Sequence, residues 1–134
     1  MAHETSLGEH FIERKTARIS MTLVGEVSGL PIPGAALTTL TVTLFDKASG
    51  TFLPVTPPTG TRNKQDILGT NGGAVDSAGK LTLDLTEDDM QKYDPTLSRE
   101  VHGALFEWTY LALTVPKSGG HTVWFSVYDV EHVP

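Results

Sequence analysis

Apolar and polar residues alternate along five stretches of the chain. These stretches are residues 17–24, 39–46, 80–86, 104–113 and 122–130, and each brings three or four apolar side chains to one face. Alternation with a period of two residues is the pattern of a β-strand that buries one face. In the last stretch, Val123, Phe125 and Val127 are predicted to face the core. Two shorter strands are predicted at residues 51–55 and 74–75.

Glycine, proline, asparagine and aspartate residues separate the predicted strands. Residues 117–120, of sequence Lys-Ser-Gly-Gly, are predicted to form the turn of a hairpin that joins the last two long strands. A single helical turn is predicted at residues 86–92, where Thr86 caps a segment rich in acidic residues. Pro95 prevents this turn from continuing as a helix.

The number and spacing of the strands predict the fold class. The chain has 134 residues, which is enough for one domain with its own core. Seven short strands separated by turns indicate two sheets packed face to face. We therefore predict an all-β fold, an antiparallel β-sandwich of the immunoglobulin-like type over residues 17–134, with a small jelly roll as the alternative. The absence of cysteine excludes disulfides, thiol catalysis and cysteine-bound metals.

Residues 1–16 are mostly polar and fall outside the strand pattern. Phe11 and Ile12 are among their few apolar residues. The segment is predicted to be a flexible N-terminal arm, either a frayed terminus or an arm that becomes ordered on a neighbouring subunit. Deleting it is expected to leave the thermal stability of the domain nearly unchanged. If the arm docks, its expected partner is the outward face of the last strand.

A long loop is predicted at residues 56–73. Loops longer than about 12–15 residues without secondary structure are usually functional or disordered. The loop contains a basic patch formed by Arg62 and Lys64. Contact with a partner and simple mobility are both open for this loop, and Arg62 and Lys64 are candidate interface residues.

Charge excludes two classes of partner. The chain carries 10 basic and 16 acidic residues, a net charge of −6, and residues 68–134 account for the whole imbalance. Binding to nucleic acid requires a basic face, and an anionic membrane surface repels an acidic protein. We therefore predict neither nucleic acid nor a membrane as a partner. The sequence has no run of about 18 apolar residues and no signal-peptide pattern, which favours synthesis in the cytoplasm.

A search for catalytic and cofactor motifs finds none with the required spacing. Gly-x-Ser-x-Gly, Gly-x-x-x-x-Gly-Lys and His-Glu-x-x-His are all missing. His102, His121 and His132 are interpreted as single surface residues at strand ends. The acidic run at residues 87–89 is interpreted as helix capping rather than as a calcium site. We predict that the protein is not an enzyme, that it needs no cofactor and that it has no metal ligands.

Two aromatic residues are predicted to point away from the core. Trp124 and Tyr128 lie on the polar face of the last predicted strand. Outward aromatic rings can stack on sugars, are enriched in protein interfaces, and also pack beneath loops of their own chain. All three interpretations are open, and the protein interface is preferred.

Five stretches spread over residues 17–134 carry a family resemblance. They are LTVTLFDKASG at residues 40–50, DILGTNGG at 66–73, GKLTLDLT at 79–86, HGALFEWTY at 102–110 and GGHTVWFSV at 119–127. The order of these signals resembles that of small tailed-bacteriophage virion proteins with an immunoglobulin-like module. Residues 111–116 are more apolar than the linker expected in such relatives.

The resemblance implies a structural role in a virus particle. The expected function is that of an accessory, or decoration, protein on the capsid, or else of a neck or baseplate component. The expected partners are other virion proteins, with homo-oligomers in the assembly, and the expected location is the virion, after synthesis in the host cytoplasm. The resemblance implies no catalytic residue. A carbohydrate-binding module that uses Trp124 and Tyr128 is the alternative.

Overall fold

The computed structural model describes residues 2–25 and 28–129, and nearly all of its regular structure is β-strand. A short 3-10 turn at Gly34–Ala36 is the one helical segment assigned within these ranges. The strands are β1 (Ala2–Ile12), β2 (Ala17–Thr22), β3 (Leu37–Asp46), β4 (Gln65–Asp66), β5 (Gly73–Val75), β6 (Lys80–Leu85), β7 (Arg99–Ala112) and β8 (Val115–Tyr128).

The strands form two sheets that share one core. The larger sheet has the order β1-β8-β7-β3-β4, and the smaller has the order β2-β6-β5. Alternate residues of β8 are buried, and Val123, Phe125 and Val127 are each at most 2% exposed, as predicted. They belong to the same core cluster as Leu81 and Leu83 of the smaller sheet. The all-β prediction is confirmed, and the layout is that of a β-sandwich.

The N-terminal segment is a strand of the larger sheet, which corrects the prediction of a free arm. Strand β1 pairs in parallel with β8, so the larger sheet is mixed rather than antiparallel. The Phe11 side chain is 8% exposed, and its ring lies 5.3 Å from that of Phe125. The backbone N–H of Glu13 then donates to the carbonyl of Tyr128 at 2.8 Å. Apolar burial and backbone pairing therefore hold the segment on its own chain.

The β7–β8 hairpin turns at residues 113–114 rather than at residues 117–120. Residues 117–120 lie inside β8 and pair with residues 107–110 of β7. Gly119 is needed for packing: a β-carbon there would come within 2.7 Å of the Trp108 ring. The turn itself contains Leu113, which has a φ of 62°. Gly119 therefore makes room for an indole, and neither it nor Gly120 reverses the chain.

The predicted helical turn after β6 is a single capped, hydrogen-bonded turn that is not assigned as a helix. The N–H of Asp89 donates to Oγ1 of Thr86 at 3.2 Å, and the N–H of Thr86 donates to Oδ2 of Asp89 at 2.8 Å. This reciprocal pair satisfies two donors that would otherwise lack partners at the start of a turn. The predicted strand at residues 51–55 is reduced to one bridge, between Phe45 and Phe52.

Candidate functional site

Arg62, predicted as an exposed interface residue, is instead buried. Its guanidinium donates to both carboxylate oxygens of Asp89, from Nε at 3.2 Å and from the terminal nitrogen at 2.9 Å. The other terminal nitrogen donates to the carbonyl of Asn71 at 2.8 Å. Arg62 is 5% exposed, so the prediction that it forms a surface patch with Lys64 is wrong. The residue ties the 56–73 loop to the turn after β6.

Lys64 is exposed, and its backbone is held in place. Its N–H donates to Oγ1 of Thr43 at 3.0 Å, and its φ is 53°. With Arg62 buried, Lys64 supplies the remaining charge of the predicted pair. The structure therefore does not bring these two cations together into a binding surface.

Phe11 and Ile12 lie at the end of β1 and do not form an exposed plug. Phe11 belongs to the core cluster, and Ile12 is half-buried opposite Tyr128 of β8. The prediction placed these two residues against the outward face of the last strand. Instead, Phe11 packs against Phe125 on the core side of that strand, and the contact lies within one chain.

Trp124 packs on the outer face of the larger sheet against its own chain. Its ring meets Phe45 edge-on at 5.4 Å, and Nζ of Lys47 lies 4.9 Å from its centroid. A β-carbon at Gly103 would come within 2.6 Å of this ring. Tyr128 is half-buried at the other end of the same face. Of the three interpretations, the geometry around Trp124 favours packing beneath residues of its own chain.

The end of the β7–β8 hairpin is an apolar surface that projects beyond the sheet. We call residues 111–116 the hairpin tip. Strand β3 pairs with β7 only as far as Tyr110, and β1 pairs with β8 only from Gly120 onward. Among residues 2–25 and 28–129, the two strands of the tip therefore pair only with each other. The exposed fractions are 45% for Leu111, 98% for Leu113 and 52% for Val115.

Two carboxylates and one histidine lie together at the opposite end of β7. We call Asp46, Glu100 and His102 the acid–histidine cluster. Glu100 and His102 are two residues apart and share the core face of β7, and Asp46 of β3 lies directly opposite His102. Their exposed fractions are 4%, 4% and 0% for Asp46, Glu100 and His102. The prediction of His102 as a surface residue is therefore wrong.

Backbone and side-chain donors hold both carboxylates of the cluster. Oε1 of Glu100 accepts from Nε2 of His102 at 2.9 Å and from the N–H of Tyr93 at 2.6 Å, and Oε2 accepts from the N–H of Asp94. Burial raises the pKa of Glu100, but the bonds from His102, Asp94 and Tyr93 outweigh burial and leave that pKa below its ordinary value. Asp46 accepts from the N–H and Oγ of Ser49 through Oδ2.

The sequence contained a signal for this cluster. The alternation that places Phe106 and Ala104 in the core continues backward to His102 and Glu100. The prediction started that strand at residue 104 and so left both residues outside it. No local pattern could supply Asp46, because only the pairing of β3 with β7 brings it opposite His102.

One cavity adjoins Trp108, and another adjoins the acid–histidine cluster. A cavity of about 480 Å³ opens beside Thr5, Met21, Trp108 and His121, and the buried indole N–H of Trp108 has no hydrogen-bond partner. A second cavity, of about 380 Å³, is lined by Asp46 and Glu100 with Leu97 and Val101. The second cavity connects the acid–histidine cluster to the surface.

Comparisons with known proteins leave the family open. No family model matches the sequence, and neither the curated proteins nor the solved structures give a significant match. Within the residues described, no helix has the length and apolar character needed to cross a bilayer.

Proposed function

We propose that the protein is a non-enzymatic structural component of a larger assembly, to which it attaches through the hairpin tip. The observation that carries the proposal is the exposure of Leu111, Leu113 and Val115 on a two-stranded ribbon beyond the sandwich. Burying a leucine or valine side chain contributes about 1.5–3 kcal/mol. Leu111 pairs with Pro116 and Val115 with Ala112, so Leu111 and Val115 face opposite sides of the ribbon. The complementary site is therefore an apolar groove that encloses the tip.

The partner in this proposal is a protein. The tip carries no charge, and the chain as a whole carries −6, so the contact depends on apolar shape rather than on attraction to phosphate groups. A contact of this size is weak alone. When many copies bind a symmetric particle, avidity raises the apparent affinity without a new contact.

The assembly we propose is a tailed-phage particle, on the strength of the family resemblance. The domain is then an immunoglobulin-like sandwich, with the jelly roll as the alternative, and it acts as an accessory protein on the capsid or at the neck or baseplate. Its partners are other virion proteins and further copies of itself. The two-sheet fold and the projecting tip support this proposal.

Sugar binding through Trp124 and Tyr128 has less support. A pyranose ring stacks on an open aromatic face, and around Trp124 the Lys47 amine and the Phe45 ring already occupy positions at the indole. A glycan array that gave saturable binding, abolished by Trp124→Ala, would favour sugar binding over the structural role.

The proposal is tested by adding purified protein to particles assembled from the encoding phage genome with this reading frame deleted. The wild-type protein should co-sediment with the particles, and Leu113→Asp should not. Leu97→Asp is the matched control, because Leu97 is 44% exposed and lies outside the tip. Failure of the wild-type protein to co-sediment, or equal binding by Leu113→Asp, would overturn the proposal.

A further inference from the structure

We propose that the acid–histidine cluster binds one divalent transition-metal ion, with zinc as the first candidate. Three residues supply the ligands: a ring nitrogen of His102 and one carboxylate oxygen each from Asp46 and Glu100. One such atom from each residue lies within 4.8 Å of the other two. The site is independent of the hairpin tip and of the structural role proposed above.

The backbone places these ligands on one rigid surface. Asp46 and His102 are direct partners in the β3–β7 pairing, and Glu100 lies two residues before His102 on the same strand. Zinc binds nitrogen and oxygen at about 2.0–2.2 Å, so its ligand atoms lie about 3.3–3.6 Å apart in a tetrahedron. The cluster atoms lie within 4.8 Å of one another, so binding an ion would require them to close by up to about 1.5 Å.

The hydrogen bond between His102 and Glu100 already has nearly the spacing of two metal ligands. Nε2 of His102 lies 2.9 Å from Oε1 of Glu100, and an ion bound between them would take the place of the proton in this bond, because metal ligands bind in their deprotonated form. Nδ1 lies on the other side of the ring, where it is buried and has no hydrogen-bond partner. The nitrogen that the cluster offers to an ion is therefore Nε2.

The charge of the cluster favours a cation. Two buried carboxylates face one histidine, and within the described residues no lysine or arginine forms an ion pair with Asp46 or Glu100. Lys47 and Arg99 line the adjoining cavity, and Lys47 directs its amine toward Trp124. A divalent ion would offset the buried negative charge directly at its source.

The surroundings meet the further requirements of a metal site. Ser49 orients Asp46, and the amides of Tyr93 and Asp94 orient Glu100, as outer partners commonly do for ligating carboxylates. The cavity of about 380 Å³ gives an entry path and room for a water as fourth ligand. The bound ion would link β3, β7 and the segment around residues 93–94, so its role would be structural.

The test uses the full chain, freed of metal with a chelator that is then removed, and titrated with Zn²⁺ alone. Calorimetry should give one ion per chain, and the melting temperature should rise with zinc concentration. Asp46→Asn and Glu100→Gln should each weaken binding by at least about 10-fold. Glu107→Gln, on the exposed face of the same strand, and His121→Gln should bind zinc as the wild type does.

Two results would overturn the metal site. One is a wild-type protein that takes up no zinc, and the other is unchanged affinity in both Asp46→Asn and Glu100→Gln. Circular dichroism in chelator establishes that each variant is folded. If either variant does not fold, zinc-edge anomalous scattering from wild-type crystals decides: a peak between Asp46 and His102 supports the site, and peaks only elsewhere contradict it.

Discussion

The guanidinium of Arg62 donates hydrogen bonds to both carboxylate oxygens of Asp89 in the interior of the protein, although 27 residues separate the two along the chain. Both side chains are at most 6% exposed. The same Asp89 closes the reciprocal cap with Thr86. One buried pair therefore fixes the long loop and the turn after β6 to each other.

Removing the cation from this pair is predicted to be strongly destabilising. Arg62→Ala leaves a buried carboxylate without its partner, which costs about 3–5 kcal/mol. Arg18→Ala is the matched control, because Arg18 pairs with Asp84 at 2.7 Å while both side chains remain more than half exposed. Exposed pairs contribute about 0–1 kcal/mol. Urea denaturation of both variants measures the difference, and equal losses would contradict the buried clamp.

Gly119 is predicted to be required for packing around Trp108. Gly119→Ala places a methyl group within 2.7 Å of the indole, and such overpacking typically costs about 1–3 kcal/mol. Gly120→Ala is the control, because its added carbon meets only the Phe106 carbonyl at 3.5 Å. Thermal unfolding should separate the two neighbours. A Gly119→Ala protein as stable as Gly120→Ala would contradict the packing requirement at Gly119.

Strand β1 is predicted to contribute to stability, against the expectation for a flexible arm. Phe11→Ala removes a buried ring that packs on Phe125, and such a change typically costs about 3–5 kcal/mol. Phe52→Ala, at a phenylalanine that is 44% exposed, should cost less than about 1 kcal/mol. Denaturant titration measures both. Deletion of residues 1–16 should likewise lower the melting temperature. An unchanged melting temperature would support the original prediction of a flexible arm.

Acid should weaken the protein partly through Glu100. The pKa of Glu100 in the folded protein lies below the ordinary 4.5. Ionised Glu100 therefore stabilises the fold at pH values above 4.5, and this stabilisation is lost as the pH falls through the pKa of the folded state. Glu100→Gln should therefore lose less stability than the wild type between about pH 5 and about pH 3. Glu107→Gln, exposed on the same strand, is the control. Denaturant titration at each pH measures the free energy of unfolding. Equal losses of that free energy in the wild type and in Glu100→Gln would contradict the role of Glu100 in acid destabilisation.

The sequence predicted the regular strands well and the irregular elements poorly, for physical reasons. Alternation specified the core face of β8 because each inward side chain there is apolar. Strand β1 escaped detection because its pairing register shifts between Ser6 and His10, which breaks the period of two, and because backbone hydrogen bonds leave no mark in composition. The glycines at 119 and 120 resemble a turn locally, and only the position of Trp108 across the hairpin reveals the role of Gly119.

The candidate sites depend even more on long-range pairing. The sequence suggested that Arg62 is exposed because its partner, Asp89, lies 27 residues away and no local pattern indicates the pairing. Asp46 lies opposite His102 because of the register in which β3 pairs with β7. Hydrophobic alternation alone did not specify that register. The apolar character of residues 111–116 was visible in the sequence, whereas their exposure follows from where β1 and β3 end.

The most direct test of attachment through the hairpin tip is site-specific photo-crosslinking in the assembled particle. A photoreactive phenylalanine analogue at residue 113, which is 98% exposed, should crosslink to a virion protein when the particles are irradiated. The same analogue at residue 97, outside the tip, should give no such product. A crosslink from residue 97 alone, or none from residue 113 in particles that contain the protein, would contradict docking through the tip.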